Sequence, residues 1–460
     1  MKRVTIVEGR THGETILGGE RLSGLTKLGK TTETKLKRIA QRSGENPCAE
    51  FHWLMPHFNK ESLIGCFNEL DGRKAVGVDG QTKEVYGKSL VENIESLIER
   101  MKRMSYRPGP VREVLIPKEG KRNAYRPLGI SNFEDKIVQL MISKILNAIY
   151  EPIFRDCSYG FRPGRSCHEA VKAVRGYLYS HWCEIVIDVD IKNFFDTINH
   201  EVLISFLRMK IKDERFIRYI VRMLKAGVLS KGELRVTEEG SPQGNVASPI
   251  LANIYAHYVI DCWFQDIVKK HVRGPVELIR YCDDMVICCR YGRDAQRIKK
   301  ALEGRLEKYS LRLNVEKTKL ISFDKKAYAD GMRQGTFDFL GFTFYLGRSR
   351  RGYVIVKVKT SKERVRSKLR NVKRWIKANR NQAKLKVLWF KFAVKLRGHI
   401  RYYGVSFNTY QVSIFLNQSK RIFFKWINRR SQRKSLNWEQ FNKLIQKHPL
   451  PKAKIHHPLF

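Results

Sequence analysis

The sequence lacks both the cysteine spacing of a zinc site and the long apolar run of a membrane span. Its nine cysteines include no Cys-x-x-Cys pair, and no paired histidines follow at zinc-site distance. No apolar run approaches the roughly 18 residues that span a bilayer, and the first 30 residues have neither a secretory signal core nor the character of an organellar leader. These absences predict free thiols in a reducing cytoplasm, with no membrane partner.

Acidic residues are scarce in the last quarter of the chain. Residues 341–460 contain 31 Lys and Arg but only two acids, Glu363 and Glu439, in a chain whose formal net charge is +44. Solvated surfaces normally mix both signs, so a merely solvated basic surface is the weaker interpretation. The imbalance predicts a polyanionic partner, and nucleic acid is the leading one.

The length of 460 residues predicts about three domains at the usual size of about 150 residues each. Residues 1–50 show little apolar periodicity, which favours an extension that is at most partly ordered, with order beginning near Phe51. Alternation predicts strands at 111–117 and around 126–128, joined by a turn, and helical spacing predicts a packed helix at 134–150. Beyond Gly341 the pattern predicts helices, with Lys and Arg opposite their apolar stripes.

Two adjacent carboxylates, Asp283 and Asp284, interrupt two largely apolar runs. Side by side at the tip of a strand-turn-strand they repel each other, so a cation is expected nearby. Further carboxylates occur in the alternating run at 184–190, where a period of two puts Asp188 and Asp190 on one strand face.

Carboxylate oxygens from two strands suit magnesium. Paired magnesium ions can activate an attacking hydroxyl and stabilise the leaving oxygen of a phosphoryl displacement. The alternative for either carboxylate pair alone is an ordinary polar turn, and the two pairs together favour the metal site.

Eight short blocks stand in a fixed order along the chain. They are Gly77-Val78-Asp79-Gly80, Arg126-Pro127-Leu128-Gly129-Ile130, Tyr159-Gly160-Phe161-Arg162-Pro163-Gly164-Arg165-Ser166, Asp190-Ile191-Lys192-Asn193-Phe194-Phe195-Asp196, Pro242-Gln243-Gly244, Tyr281-Cys282-Asp283-Asp284, Leu313-Asn314-Val315-Glu316-Lys317-Thr318 and Phe339-Leu340-Gly341-Phe342. In this order they resemble the group II intron-encoded reverse transcriptases, or maturases, from about residue 60 onward.

The resemblance implies an α+β fold of the right-hand polymerase class, with fingers, palm, a helical basic thumb and a C-terminal DNA-binding region. The implied division is 1–50 for an N-terminal extension, 51–170 for the fingers, 171–345 for the palm with the catalytic carboxylates, 346–408 for the thumb, called domain X in maturases, and 409–460 for the basic DNA-binding region.

The resemblance also implies roles for single residues. Asp190, Asp283 and Asp284 would be catalytic and would hold two Mg²⁺ ions, which Mn²⁺ could replace. The positions that meet the incoming nucleotide are Lys118, Arg126, Phe195, Gln243 and Gly244. The positions that meet nucleic acid are Arg397, Arg429, Arg430, Arg433 and Lys434.

Each nucleotide-binding position has a plainer alternative. Lys118 and Arg126 match a pair that grips the triphosphate, and a guanidinium suits phosphate oxygens, but a solvated basic hairpin has the same composition. Phe195 matches the aromatic under the deoxyribose that refuses a 2′-hydroxyl, and its alternative is a core phenylalanine. Gln243 and Gly244 match a loop that approaches the templating base pair, and their alternative is a tight turn.

The chain departs from the family pattern at two positions. Asn245 stands where a second glycine is common, and Cys282 stands where alanine is common. A thiol beside metal-binding carboxylates suggests sensitivity to soft metals or oxidation.

The implied activity is RNA-directed DNA polymerisation in a cytoplasm of bacterial type, together with binding of a structured group II intron RNA and promotion of its splicing. The implied partners are an RNA template with its primer, the intron RNA and a target DNA, and a homodimer is left open. A tail with two acids and no cysteine predicts the form that lacks a C-terminal endonuclease domain. Two alternatives stay open: a domesticated reverse transcriptase acting in DNA repair or phage defence, and a splicing cofactor only.

Overall fold

The computed structural model describes residues 22–117, 125–230, 233–235, 239–240, 244–430 and 436–460, with side chains from residue 32 onward. Within these ranges helices and three separate sheets are combined, which agrees with the α+β class. No helix in the described ranges is long and apolar enough to cross a bilayer. The predicted free thiols are confirmed, since all nine cysteines are unpaired.

The N-terminal part is a group of helices beside a hairpin. Its elements are α1 (Leu22–Glu45), α2 (Lys60–Glu69), α3 (Lys83–Lys88), α4 (Leu90–Lys102), β1 (Val111–Pro117), β2 (Tyr125–Ile130) and α5 (Phe133–Tyr150). β1 and β2 are antiparallel with Leu115 opposite Pro127, so the predicted strands of the hairpin are confirmed. The predicted helix at 134–150 is α5, which is buried along most of its length.

The middle part carries the central sheet. Its elements are α6 (Cys167–Ser180), β3 (Ile185–Val189), α7 (His200–Arg208), α8 (Glu214–Leu224), β4 (Val228–Ser230), β5 (Glu233–Arg235), α9 (Ser248–Ala256), α10 (Lys269–His271), β6 (Val276–Tyr281), β7 (Asp284–Cys289), α11 (Gly292–Lys308), β8 (Lys319–Ser322) and α12 (Lys325–Ala329). Two π-helical turns, His257–Asp261 and Phe264–Val268, lie between α9 and α10. Such turns are rare and often occur at functional sites.

The C-terminal part begins with a small sheet and ends with helices. Its elements are β9 (Phe337–Phe339), β10 (Phe342–Arg348), β11 (Val354–Thr360), α13 (Lys362–Asn379), α14 (Leu385–Tyr403), α15 (Thr409–Ile427) and α16 (Trp438–Lys447).

The central sheet has the strand order β6-β7-β3-β8, and every neighbouring pair is antiparallel. Both of its faces are covered. Ile187 of β3 packs into a core shared with α5 and α9, whereas Val186 packs into a second core shared with α6 and the C-terminal elements. This alternation places Asp188 and Asp190 on the Val186 side of the sheet.

Order begins earlier than the expected start near Phe51, because residues 22–45 form the single helix α1. Leu36 and Ile39 pack against the main core, and the Ser43 hydroxyl donates to the Ile149 carbonyl over 2.6 Å. A polar stretch at 29–35 separates Leu22, Leu25 and Leu28 from the apolar pair Leu36 and Ile39, and this interrupted apolar pattern was too sparse for a helix to be predicted. The helix depends on contacts with α5, more than 100 residues away in sequence.

The prediction of helices beyond Gly341 was also wrong for its first 20 residues. β10 and β11 form an antiparallel hairpin there before α13 begins at Lys362. Val356 and Val358 are fully buried, and lysines alternate with them. This period of two is typical of a strand with one buried face, and the basic composition concealed it.

The C-terminal helices contain a buried imidazole that predicts acid sensitivity. His399 of α14 stacks on Phe415 of α15 with ring centroids 3.5 Å apart. Burial, aided by the charge of Lys368, lowers the pKa of His399 from 6.5 to about 3. Between these two pKa values the unfolded chain binds a proton at His399 and the folded chain does not. The contribution of the neutral His399 to stability is therefore complete above pH 6.5 and is lost as the pH falls.

Between pH 7.5 and 5.5 this proton linkage lowers the free energy of unfolding by about 1.4 kcal/mol. The His399→Leu protein should lose that much of the pH dependence, measured by urea unfolding at both pH values. His271→Leu, at an exposed site, is the matched control and should keep the wild-type slope. An unchanged slope in His399→Leu would contradict the assignment.

Candidate active site

Asp283 and Asp284 lie at the tip of the β6-β7 hairpin. Tyr281 pairs with Asp284, which leaves Cys282 and Asp283 as the two-residue turn. Cys282 has a φ of 60°, in the left-handed region that a non-glycine residue rarely adopts. The turn is therefore a strained element that its surroundings must hold in place. We call residues 281–284 the acidic turn.

Asp190 follows the last residue of β3 and lies beside the acidic turn. β3 pairs with β7 so that Val189 faces Met285. One more residue along this antiparallel register brings Asp190 next to Asp284. The strand register thus brings the three predicted carboxylates to one end of the central sheet.

The electrostatics of Asp284 show how closely these carboxylates interact. Burial, together with the charges of Asp188, Asp283 and Asp190, raises its pKa to about 7, and a hydrogen bond from the Leu340 amide acts in the opposite direction. Ionising this carboxyl inside the folded chain is therefore unfavourable at neutral pH. A bound cation would reverse the penalty, because opposite charge favours the ionised form.

Asp283 experiences the same forces together with a counter-charge. Burial raises its pKa first, and the charge of Asp190 adds to that. The Arg126 guanidinium on β2 lowers it. Arg126 is thus within electrostatic reach of the acidic turn, as the predicted nucleotide-binding role requires.

Asp190 has two partners that the sequence did not identify as functional. Its Oδ2 accepts hydrogen bonds from Asn314 Nδ2 over 2.7 Å and from Lys317 Nζ over 3.0 Å. Asn314 also donates its backbone N–H to the Asp190 carbonyl, which ties the 313–318 block to the end of β3. The only signal in the sequence was the presence of these residues in one of the eight blocks.

The donor set at this end of the sheet suits a hard divalent cation, since Asp190, Asp283 and Asp284 offer only carboxylate oxygens. Across the described ranges, no group of three or more His, Cys, Asp and Glu side chains is arranged to hold a metal ion. In the described conformation the Lys317 ammonium forms an ion pair with the Asp190 carboxylate. The chemistry of the site fits a metal, and its present side-chain arrangement is that of an ion pair.

A second turn connects Asp284 to the C-terminal helices. Leu340 and Gly341, both with positive φ, join β9 to β10, and the Leu340 N–H donates to Asp284 Oδ2 over 3.4 Å. The Tyr402 hydroxyl of α14 donates to the Leu340 carbonyl over 3.0 Å. Two hydrogen bonds through Leu340 therefore connect α14 to an acidic-turn carboxylate.

Gly244 lies against the strand that carries Arg126. Its φ is 112°, and a Cβ there would collide with the Gly129 carbonyl and come within 2.9 Å of Leu128. Only glycine fits this contact with β2, and the approach of the loop to a base pair stays a prediction. Gln243 of the same predicted loop and Lys118 of the predicted hairpin lie outside the described residues.

Phe195 lies in a 3₁₀ turn, Phe194–Asp196, just after Asp190. Its ring is only partly buried and packs edge-on against Phe194 at 5.7 Å, whereas Phe194 is fully within the core. Phe195 also packs against the main core but is not fully buried in it, and its contact with a ligand stays a prediction.

The predicted C-terminal contacts differ in their surroundings. Arg397 is exposed on α14, and Arg429 is exposed with its guanidinium 5.2 Å from the Trp426 ring centroid. Arg430 instead donates to the Ala383 carbonyl over 3.0 Å, so it also ties α15 to the loop before α14. Arg433 and Lys434 lie outside the described residues.

A large basic cavity lies between the β9-β10-β11 sheet and helices α13 and α15. Its volume is about 1010 Å³, and the cations that line it are Lys359, Lys362, Arg366, Arg370 and Lys373. Burial, together with the charges of Asp338 and Asp190, raises the pKa of Asp188 to about 6, and Asp338 also lines this cavity. The cavity therefore begins within electrostatic reach of β3, and we call it the basic cavity.

Comparison with known proteins gives consistent matches. The family described as reverse transcriptase (RNA-dependent DNA polymerase) matches residues 116–344. Group II intron-encoded protein LtrA of Lactococcus lactis subsp. cremoris is 37% identical over 230 residues, which are 50% of this chain and 38% of that protein. Protein YkfC of Escherichia coli strain K12 is 33% identical over 330 residues, 64% of this chain and 82% of that protein.

A plant relative, Nuclear intron maturase 1, mitochondrial, of Arabidopsis thaliana, is 29% identical over 97 residues, 20% of this chain and 13% of that protein. The chain spans about two fifths of the length of LtrA.

Proposed function

This chain belongs to the family of group II intron-encoded reverse transcriptases and maturases, and on that premise we propose that it is an RNA-directed DNA polymerase that also binds a structured intron RNA. The observation that carries the proposal is the meeting of Asp190 with Asp283 and Asp284 at one end of the central sheet. In this reading that sheet is the palm, residues 51–170 contribute the fingers, and the C-terminal helices contribute the thumb.

Asp190, Asp283 and Asp284 would hold two Mg²⁺ ions, with Mn²⁺ able to replace them. When bound there, the ions supply the charge that activates a primer 3′-hydroxyl and stabilises the departing pyrophosphate. The raised pKa values of Asp283 and Asp284 support this role, because such a site is unfavourable without a counter-charge.

Residues of this chain would position the other reactants. Arg126 would grip the triphosphate, since a guanidinium donates to two phosphate oxygens at once. Phe195 would lie under the sugar, and Gly244 would allow backbone to approach the base pair. Lys317, which holds Asp190 in the described conformation, would have to release it when the site is loaded.

The nucleic-acid partners would bind where the positive charge of the protein is concentrated. The basic cavity offers five cations against Asp338 and Glu363, and it starts near the palm. We assign it to the backbone of the primer and template duplex. Arg397 and Arg429 would extend the basic surface to intron RNA or target DNA. LtrA, a group II intron-encoded protein, and the plant relative, a nuclear intron maturase, support the intron RNA as a partner.

The direct test is extension of an oligo(dT) primer on poly(rA) with dTTP and Mg²⁺. We expect product with the full chain, and a denaturing gel resolves each added nucleotide. A folded protein that gives no extension with either Mg²⁺ or Mn²⁺ would overturn the polymerase assignment.

Sugar selection gives a sharper test of the nucleotide site. In the Phe195→Ala protein the efficiency of ribonucleotide incorporation relative to deoxynucleotide incorporation should rise at least roughly tenfold, because the ring no longer blocks a 2′-hydroxyl. The ratio of kcat/KM for rTTP and dTTP measures the effect. Phe390→Ala, which removes an exposed ring from α14, is the matched control. Unchanged discrimination would remove Phe195 from the site.

A further inference from the structure

Arg280 is a fully buried arginine that directly precedes the acidic turn. Its side chain and that of Asp261 are both 0% exposed. Nε and Nη2 of Arg280 donate to the two Asp261 carboxylate oxygens over 2.7 and 2.6 Å, a bidentate pair. Asp261 closes the first of the two π-helical turns, so this turn carries the counter-charge of Arg280.

The remaining Arg280 hydrogens meet three groups around the acidic turn. Nη1 donates to Asn253 Oδ1 over 3.2 Å and to the Cys282 carbonyl over 3.0 Å, and Nη2 also donates to Ser158 Oγ over 2.8 Å. With the Asp261 pair, all five guanidinium N–H groups have an acceptor. The network is fully satisfied, which is the condition under which a buried charge is tolerated.

The bond to Cys282 matters because its carbonyl belongs to the peptide that leads into Asp283. Cys282 is also the strained residue of the turn. On its other side, Gly160 lies so close that a Cβ there would collide with the Cys282 thiol and come within 2.6 Å of its backbone N. Asn253 completes the frame by donating to the Gly160 carbonyl over 2.7 Å. The turn is therefore held on one side by Arg280 and on the other by the Gly160 backbone.

Stability alone is a weak reason for this arrangement. A buried ion pair costs much desolvation, and well-packed apolar residues of similar volume are often as stable or more so. Buried polar groups have their best-supported role in fixing one arrangement among several. Here the fixed arrangement is the strained turn that joins β6 to β7 and carries the candidate metal-binding residues Asp283 and Asp284.

We propose that Arg280, oriented by Asp261, is the positioning residue of the acidic turn, and that it fixes the Cys282–Asp283 peptide so that Asp283 and Asp284 can bind metal together with Asp190. The proposal rests on the proposed polymerase function. Arg280 does not touch substrate or metal, so it acts through the turn. It follows that the catalytic rate depends on a charge pair buried behind the palm sheet.

The test removes the pair without leaving an unpaired charge. In Arg280→Met/Asp261→Leu the expected result is a melting temperature near that of the wild type, with kcat for dTTP addition lowered about 100-fold and KM for dTTP unchanged, because misplacement of about 1 Å is enough for such a loss. Binding of Mn²⁺ to the free protein, followed by electron paramagnetic resonance, should weaken as well. A merely structural role would lower the melting temperature and leave kcat and metal affinity alone.

Arg280→Lys is the second variant, for the case that the double variant does not fold. Its ammonium keeps a charge against Asp261 but cannot reach all the acceptors of the fork, so it should lose part of kcat and rescue stability. The matched control is Arg305→Met. Arg305 donates to the Tyr258 and Val259 carbonyls of the same π-helical turn but not to the acidic turn, so kcat should stay at the wild-type value.

If the wild type extends primers and a folded Arg280 variant retains its kcat and its Mn²⁺ affinity, the positioning proposal is overturned alone. If the wild type does not extend primers, the polymerase function fails, and Mn²⁺ binding by the free variants still decides whether Arg280 organises the turn.

Discussion

Primer extension by the Asp283→Asn/Asp284→Asn protein should fall by at least about 10³-fold, while its assistance to intron splicing should stay at the wild-type level. Charge stabilisation by catalytic metals contributes several kcal/mol, and about 4 kcal/mol corresponds to a factor of 10³. Splicing assistance needs only RNA binding, and asparagine leaves the shape of the acidic turn nearly unchanged. Single-turnover extension and a splicing assay with the cognate intron RNA measure the two activities.

Loss of folding would be a trivial cause of such a result, and the electrostatics of Asp284 predict that the variant stays folded. Burial and three neighbouring carboxylates raise the pKa of Asp284 to about 7, far above 3.8 in an unfolded chain. Ionisation therefore penalises the folded state from pH 3.8 upward, and the penalty is complete above pH 7. At pH 8 the asparagine variant should thus be at least as stable as the wild type in urea unfolding.

The control is Asp330→Asn, which alters an exposed carboxylate away from the turn and should leave both activities intact. Extension by the double variant at the wild-type rate would show that these carboxylates are not the catalytic ones. Loss of splicing together with extension would instead show that the acidic turn also contributes to RNA binding.

The arrangement of the three carboxylates could be predicted because its causes are local. An alternating run ends at Asp190, an acidic pair divides two apolar runs, and antiparallel pairing of such strands brings their ends together. Helix α5 and the strands β1 and β2 were equally local in origin. In each case periodicity within one segment determined the element.

What could not be predicted depends on partners distant in sequence. Arg280 reads as an interruption of an apolar strand, and its partner Asp261 lies 19 residues earlier in a π-helical turn that periodicity does not reveal. Lys317 meets Asp190 across 127 residues. Helix α1 depends in the same way on α5, and the β10-β11 hairpin was hidden by its lysines.

The largest expected effect on nucleic-acid binding comes from the basic cavity. Lys362, Arg366, Arg370 and Lys373 recur at intervals of three and four along α13, so they share one face of the helix over about 16 Å. Replacing all four by glutamine should weaken binding of a primer and template duplex by roughly 10 to 100-fold at low salt. The slope of log K against log salt should become shallower by up to about 3.6, since each phosphate contact contributes about 0.9.

Fluorescence anisotropy at several salt concentrations measures both the affinity and the slope. The slope distinguishes direct phosphate contacts from a general effect of the protein's net charge. A matched variant removes four exposed cations from α11, namely Arg293, Arg297, Lys300 and Lys308, and so changes the net charge equally. Because α11 packs against the central sheet away from the cavity, this variant should lose little affinity and keep the wild-type slope. Equal losses in the two variants would mean that the nucleic acid responds only to the overall charge of the protein. The assignment of the basic cavity as the duplex-binding site would then be wrong.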